Sequence, residues 1–184
     1  MPRRPTTTKE DMVEAAFQLV RRDGFATLTA RSLAAELGCS TQPIMYRFPD
    51  LAELRSLVYQ RADAYHTAYL STAEDLLEMG LRYVRFAAEE PNLFRLLFQS
   101  GHFDGASLRD MLAAPEAGEF VAATSAELRL PQEDILPAFE ALYVAVHGYA
   151  SLVANNALDY DPAAIEKTLT AIAEGLMRKK DTSC

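Results

Sequence analysis

A chain of 184 residues sets the expectation of one domain, or of a small domain fused to a modest second one. With 49% hydrophobic and 24% charged residues, and only 8 Gly and 9 Pro, it is neither a disordered nor a low-complexity sequence. The net charge of −8, from 18 Lys/Arg against 26 Asp/Glu, argues against a protein that is basic throughout. The two cysteines, Cys39 and Cys184, are too few for a disulfide framework or a thiolate metal cage.

The opening Met1-Pro2-Arg3-Arg4-Pro5-Thr6 is basic without an apolar core behind it, so it does not read as a secretory signal. A reducing, cytoplasmic setting is expected. The first predicted helix follows Thr8, with Asp11 as the partner of a capping box, the apolar stripe Met12, Val13, Ala16, Phe17 and Val20, and Gly24 as a left-handed stop. A short second helix follows Thr29, places Leu33, Ala34 and Leu37 inward, and ends at Gly38. The third starts at Ser40, carries Pro43 in its first turn, anchors Ile44 and Phe48, and stops at Pro49-Asp50. Helices are then expected over 51–70, 72–89 and 92–99, the second of these halted before Pro91. A loop over 100–105 precedes helical sequence over 107–128, interrupted near Pro115 and Gly118. Pro131 opens a long helix to about 156, and Asp161-Pro162 opens the last, which ends near Arg178-Lys179-Lys180. No stretch alternates like a strand, so the chain is expected to be all-α, with about nine helices. The longest apolar run, 141–154, is interrupted by His147 and is shorter than the ~20 residues of a membrane span.

Charge divides unevenly. Residues 1–47 carry seven Lys/Arg against five Asp/Glu, net +2, and the rest of the chain carries 11 against 21, net −10. A slightly basic head on an acidic body suits a molecule in which only the head meets a polyanion; scattered surface charge gives the same small excess.

The segment from Thr29 to Phe48 reads as helix, tight turn, helix. Ala34 and Ala35 permit close crossing, Gly38 supplies a positive φ, and Leu33, Leu37, Ile44 and Phe48 face inward. The outward residues Thr41, Gln42, Pro43, Met45, Tyr46 and Arg47 include no carboxylate to repel phosphate. Gln42 can pair bidentately with adenine, and Thr41 or Pro43 can touch a thymine methyl. Thr29, Ser40, Tyr46 and Arg47 suit phosphate oxygens, helix N-termini at Thr29 and Ser40 add backbone N–H groups, and Arg3 and Arg4 can follow the backbone or reach the minor groove. A plain corner in a helical bundle has the same spacing.

From Lys9 to Leu54 the sequence resembles the TetR family of transcriptional regulators, through Gly24-Phe25, Leu28-Thr29, Leu33-Ala34, Leu37-Gly38, Ser40 and Phe48. The resemblance implies a three-helix DNA-binding head (1–50), a helical ligand-binding and dimerisation body (51–184), and a homodimer, usually a repressor released by a small-molecule effector. Met45 stands where the family usually has tyrosine, with Tyr46 one residue later, and Leu51 stands where it usually has a phosphate-contacting lysine. These contacts would then shift to Arg47 or Arg55. The turn Ser40-Thr41-Gln42-Pro43 resembles a branch of the family. The segment 83–98, with Val146-His147-Gly148, resembles family members whose C-terminal domain carries a Trp-His-Gly signature, with Val146 in place of the tryptophan.

The long helix is apolar on two sides, Phe139, Leu142, Val146, Tyr149 and Val153 on one and the smaller Ala141, Ala145, Gly148 and Leu152 on the other. Pairing the small stripe and Leu169, Ile172 and Leu176 of the last helix across a two-fold axis gives a four-helix interface; burial inside one chain is the alternative. Phe86, Phe94, Phe98, Phe103, Met111, Phe120, Tyr143 and His147 are candidates to line an effector pocket, or simply core. No paired Glu-x-x-His set, phosphate loop or nucleophile elbow supports an enzyme, and no metal or cofactor is expected. The remaining alternative is a helical-bundle interaction protein, or a small-molecule binder that does not bind DNA.

Overall fold

The structure is a computed structural model that describes residues 7–100 and 118–178. Among these there are nine α-helices and no strand: α1 Lys9–Asp23, α2 Ala30–Glu36, α3 Thr41–Arg47, α4 Ala52–Leu70, α5 Leu76–Glu89, α6 Pro91–Gln99, α7 Gly118–Leu128, α8 Gln132–Ala154 and α9 Pro162–Arg178. They form two compact units, residues 1–68 with 92–100, and residues 69–91 with 101–184.

In the first unit, α1 begins with the expected capping box: the Thr8 hydroxyl accepts from the Asp11 N–H, and the Asp11 carboxylate accepts from the Thr8 N–H at 2.8 Å. These bonds hold the Asp11 carboxyl below the usual carboxylate range. Gly24 ends the helix with φ +88° and ψ 159°, an extended mirror-image conformation rather than the left-handed helical stop read from the sequence. A 3-10 turn at Phe25–Thr27, not anticipated, then leads to α2. Met12, Ala16, Phe17, Val20, Leu28, Leu33, Ile44, Phe48, Leu54, Val58 and Ala62 are buried in this unit, in line with the predicted apolar stripes of the first four helices. Helix α6 joins this unit by burying Leu93, Phe94, Leu96 and Leu97. The expected boundary near residue 50 therefore marks the end of a three-helix motif rather than the edge of a compact unit.

In the second unit, α5 packs along α8, α9 lies against both, and α7 packs on α8. Helix α5 starts four residues later than expected, where Asp75 accepts the Glu78 N–H at 2.7 Å. A small core of Leu128, Leu130, Ile135 and Ala138 gathers Leu76, Leu142, Ala173 and Leu176 around it. Helix α8 is more apolar than the run 141–154 suggests. From Asp134 to Ala154 it has the length and composition to cross a membrane, and 22% of that window is buried within the chain. It packs on α5 and α9, and among the described residues its exposed apolar side chains are Ala141, Val144 and Leu152.

Candidate nucleic-acid interface

The turn between α2 and α3 is closed by two backbone bonds, Cys39 N–H to Ala34 O at 2.9 Å and Gly38 N–H to Ala35 O at 3.2 Å, around Gly38 at φ +61°. This is the doubly bonded left-handed ending that favours glycine. Helix α2 begins with a second capping box, Thr29 with Ser32, so the Thr29 hydroxyl already takes part in bonds to the Ser32 N–H and Oγ. Ser40 occupies the cap position of α3 but makes no side-chain cap bond, contrary to its expected role.

The sides of α3 separate as the pattern requires. Ile44 and Phe48 are completely buried, whereas Ser40, Thr41, Gln42, Pro43, Met45, Tyr46 and Arg47 are exposed, Tyr46 to 85%. Leu51, where the sequence resemblance implies a lysine, is half-buried with a left-handed φ of +57°, an uncommon conformation for a branched side chain. Arg3 and Arg4 lie outside the described residues.

Several cations of this unit are engaged by carboxylates. Lys9 pairs with Glu53 and sits 5.5 Å over the Phe48 ring. Arg61 pairs with Glu14 at 3.1 Å, and Arg22 pairs with Asp23 at 2.9 Å and with Glu36 at 3.0 Å. The Arg22 guanidinium holds the Glu36 carboxyl below its usual range. Neither Arg31 nor Arg47 forms an ion pair among the described residues, and the Arg55 guanidinium lies 5.8 Å over the Phe25 ring. Arg31 was not among the sequence candidates. It is exposed in the first turn of α2, and its position just after the Thr29 cap was the available signal.

The candidate pocket residues separate. Phe94 and Phe98 belong to the first unit; Phe94 is fully buried, with ring centroids 5.0 Å apart between the two and 5.2 Å from Phe98 to His66. Phe86 belongs to the second unit and is also fully buried, edge-on to Tyr69 at 5.4 Å. Both buried rings are core. Phe103 and Met111 lie outside the described residues, as does the side chain of Phe120. Tyr143 and His147 do come together in the second unit, stacked one helical turn apart at 5.6 Å, with Phe139 continuing the stack. The Tyr83 hydroxyl, absent from the sequence candidates, lies 3.0 Å from His147 Nδ1. Burial pushes the Tyr83 hydroxyl above the usual phenol range and His147 below the usual imidazole value.

Of the candidate interface residues, Ala141 and Leu152 are exposed, and Ala145, Gly148, Ile172 and Leu176 are half-buried. Val144, on the same side of α8 as Ala141 and Leu152, is 67% exposed and was not anticipated. Leu169 is a correction. It is buried against α5, where its Cδ1 lies 3.1 Å from the place a Cβ on Gly80 would take, so it closes the chain's own core. Among the described residues no group of three or more His, Cys, Asp or Glu side chains is arranged to hold a metal ion.

Among the described residues the chain is all-α, with a helix-turn-helix in its first unit and a set of longer helices packed together in its second. Residues 76–176, more than half of the chain, match the family model of the tetracyclin repressor-like, C-terminal domain, and the chain belongs to that family. No curated protein is significantly similar to it.

Proposed function

We propose that this protein is a DNA-binding transcriptional regulator of the TetR family, a cytoplasmic, ligand-responsive repressor that binds a pseudo-palindromic operator as a homodimer. The observation that carries the reading is the outer side of α3: six exposed residues without a carboxylate, backed by the buried Ile44 and Phe48. We assign DNA binding to residues 1–50, and effector binding and self-association to residues 51–184. Gln42, Thr41 and Pro43 read base edges, while Tyr46 and Arg47, together with Arg31 and Arg55, contact phosphates. The exposure of Ala141, Val144 and Leu152 on one side of α8, among the described residues, supports a second copy as its cover. The cluster of Tyr83, Tyr143 and His147 supports an effector contact in the second unit, with Val146-His147-Gly148 as a variant of the Trp-His-Gly type.

Two heads at fixed separation fit half-sites about one helical turn apart, ~34 Å. An effector that favours another separation releases the operator; moving occupancy from about 99% to 1% takes ~5.5 kcal/mol of differential affinity. Selection from a pool of randomised duplexes tests the reading. Enrichment of a two-fold-symmetric sequence, lost with Gln42→Ala, is the expected result. No enrichment at low salt would overturn it.

A further inference from the structure

Among the described residues of the first unit, four cations lie over aromatic rings: Lys9 over Phe48, Arg21 over Tyr65, Arg61 over Phe17 and Arg55 over Phe25. Three of them also meet a side-chain oxygen. Lys9 pairs with Glu53, Arg61 pairs with Glu14, and Arg21 donates to the Tyr65 hydroxyl at 3.3 Å. Arg55 is exposed, and among the described residues its guanidinium has the Phe25 ring, 5.8 Å away, and no oxygen acceptor. A ring attracts a cation through its quadrupole without neutralising the charge, so the N–H donors stay available to an anion.

Both ends of this contact are fixed locally. Phe25 opens the 3-10 turn Phe25–Thr27 that follows α1. Gly24 O accepts from the Thr27 N–H at 3.1 Å and from Thr27 Oγ1 at 2.7 Å, and Phe25 O accepts from the Leu28 N–H at 3.1 Å. Leu28 is fully buried, and Ser32 Oγ donates to Thr27 O at 2.7 Å, which ties the turn to the start of α2. Arg55 lies in the first turn of α4, beside the fully buried Leu54, with its N–H bonded to Leu51 O at 2.9 Å. The nearest carboxylates along the chain are engaged elsewhere: Asp50 accepts the Ala52 N–H at 3.0 Å, and Glu53 holds Lys9.

We propose that Phe25 is a positioning residue, which holds the Arg55 guanidinium in place for a DNA phosphate. This role rests on the DNA-binding reading above; Phe25 itself need not touch the duplex. A free Arg side chain loses rotamer freedom when it grips a phosphate, and a ring that restricts it beforehand reduces that loss. The planar fork then offers paired N–H donors to the phosphate oxygens. Arg55 is the one cation in the first turn of α4, so its placement decides whether that turn reaches the backbone with a charge.

A double-mutant cycle on duplex affinity separates positioning from support of the turn. The full chain is titrated onto the selected duplex by fluorescence anisotropy. Phe25→Leu is expected to weaken binding about twofold to fivefold for each head engaged. In the Arg55→Gln background the same substitution should change affinity by less than about 1.5-fold. Phe25→Tyr, which keeps a ring face, should retain the affinity of the unmodified chain. Phe25→Met, which keeps the apolar bulk without the ring, should behave like Phe25→Leu and serves if that variant does not fold. Arg55→Gln should also make the slope of log K against log salt shallower by about 2, one phosphate from each of two heads. An equal loss from Phe25→Leu with and without Arg55 would make the ring a support of the turn alone and overturn the proposal. So would failure of Phe25→Tyr to retain affinity, or an Arg55→Gln slope equal to that of the unmodified chain. If the unmodified chain selects no duplex, the functional reading falls and takes this role with it; if it binds and the cycle is additive, the positioning role alone falls.

Discussion

The orientation of α3 can be tested by two substitutions two residues apart. Ile44 is completely buried and Tyr46 is 85% exposed. Truncating a buried Ile to Ala typically costs ~2–5 kcal/mol, from lost transfer free energy and the cavity left behind. At about 3 kcal/mol the folded-to-unfolded ratio of the first unit falls more than a hundredfold. Tyr46→Ala removes a side chain that makes few contacts within the chain, so its stability change is expected within about 0.5 kcal/mol. A hydrogen bond from Tyr46 to a charged phosphate is worth ~1.5–3 kcal/mol, so duplex affinity falls about tenfold or more. Urea unfolding of the full chain, followed by far-UV circular dichroism, measures the first quantity, and fluorescence anisotropy with the selected duplex measures the second. Equal destabilisation by the two substitutions, or a stable Ile44→Ala beside an unstable Tyr46→Ala, would refute the assignment of sides.

Gly38→Ala is expected to cost ~1–2 kcal/mol in the same urea experiment from backbone strain alone, since an added Cβ would meet nothing within 4 Å. Gly24→Ala is expected to cost ~1–3 kcal/mol, its φ and ψ being accessible essentially to glycine only. His66 gives a pH dependence. Burial pushes its pKa down to about 4 from an ordinary value of 6.5, so the folded chain keeps it neutral while the unfolded chain takes up a proton. Its contribution is fully present above pH 6.5 and is lost as pH falls toward 4, with a slope of up to ~1.4 kcal/mol per pH unit. His66→Leu should flatten this slope in urea titrations; an unchanged slope would contradict the assignment.

The local features of the fold were legible in the sequence because their causes are local. Thr8, Thr29 and Gly38 act on backbone groups within a few residues, and the spacing of Ile44 and Phe48 decides which side of α3 is buried. The departures have causes elsewhere in the chain. Leu169 continues the apolar stripe of α9 and reads as seam or core alike; the missing side chain of Gly80 on α5 makes it core. Phe94 and Phe98 look like partners of Phe86 by composition, yet α6 folds back into the first unit. Asn92 donates its side-chain amide to Arg21 O and Arg22 O at the end of α1, and carries no sequence signal for this because its acceptors are backbone carbonyls that every residue possesses. Ser40 has the composition of a cap without its bond, so residue type alone overstates that contact.

The central claim is that the outer side of α3 meets a phosphate backbone. Its most direct test is the affinity of the full chain for the selected duplex across roughly 50–200 mM salt. Each neutralised phosphate contributes about 0.9 to the slope of log K against log salt. Arg47→Ala removes one contact from each of two heads, so the slope should become shallower by about 2 while the fold is retained. A salt-independent affinity, or an Arg47→Ala slope equal to that of the unmodified chain, would contradict the account.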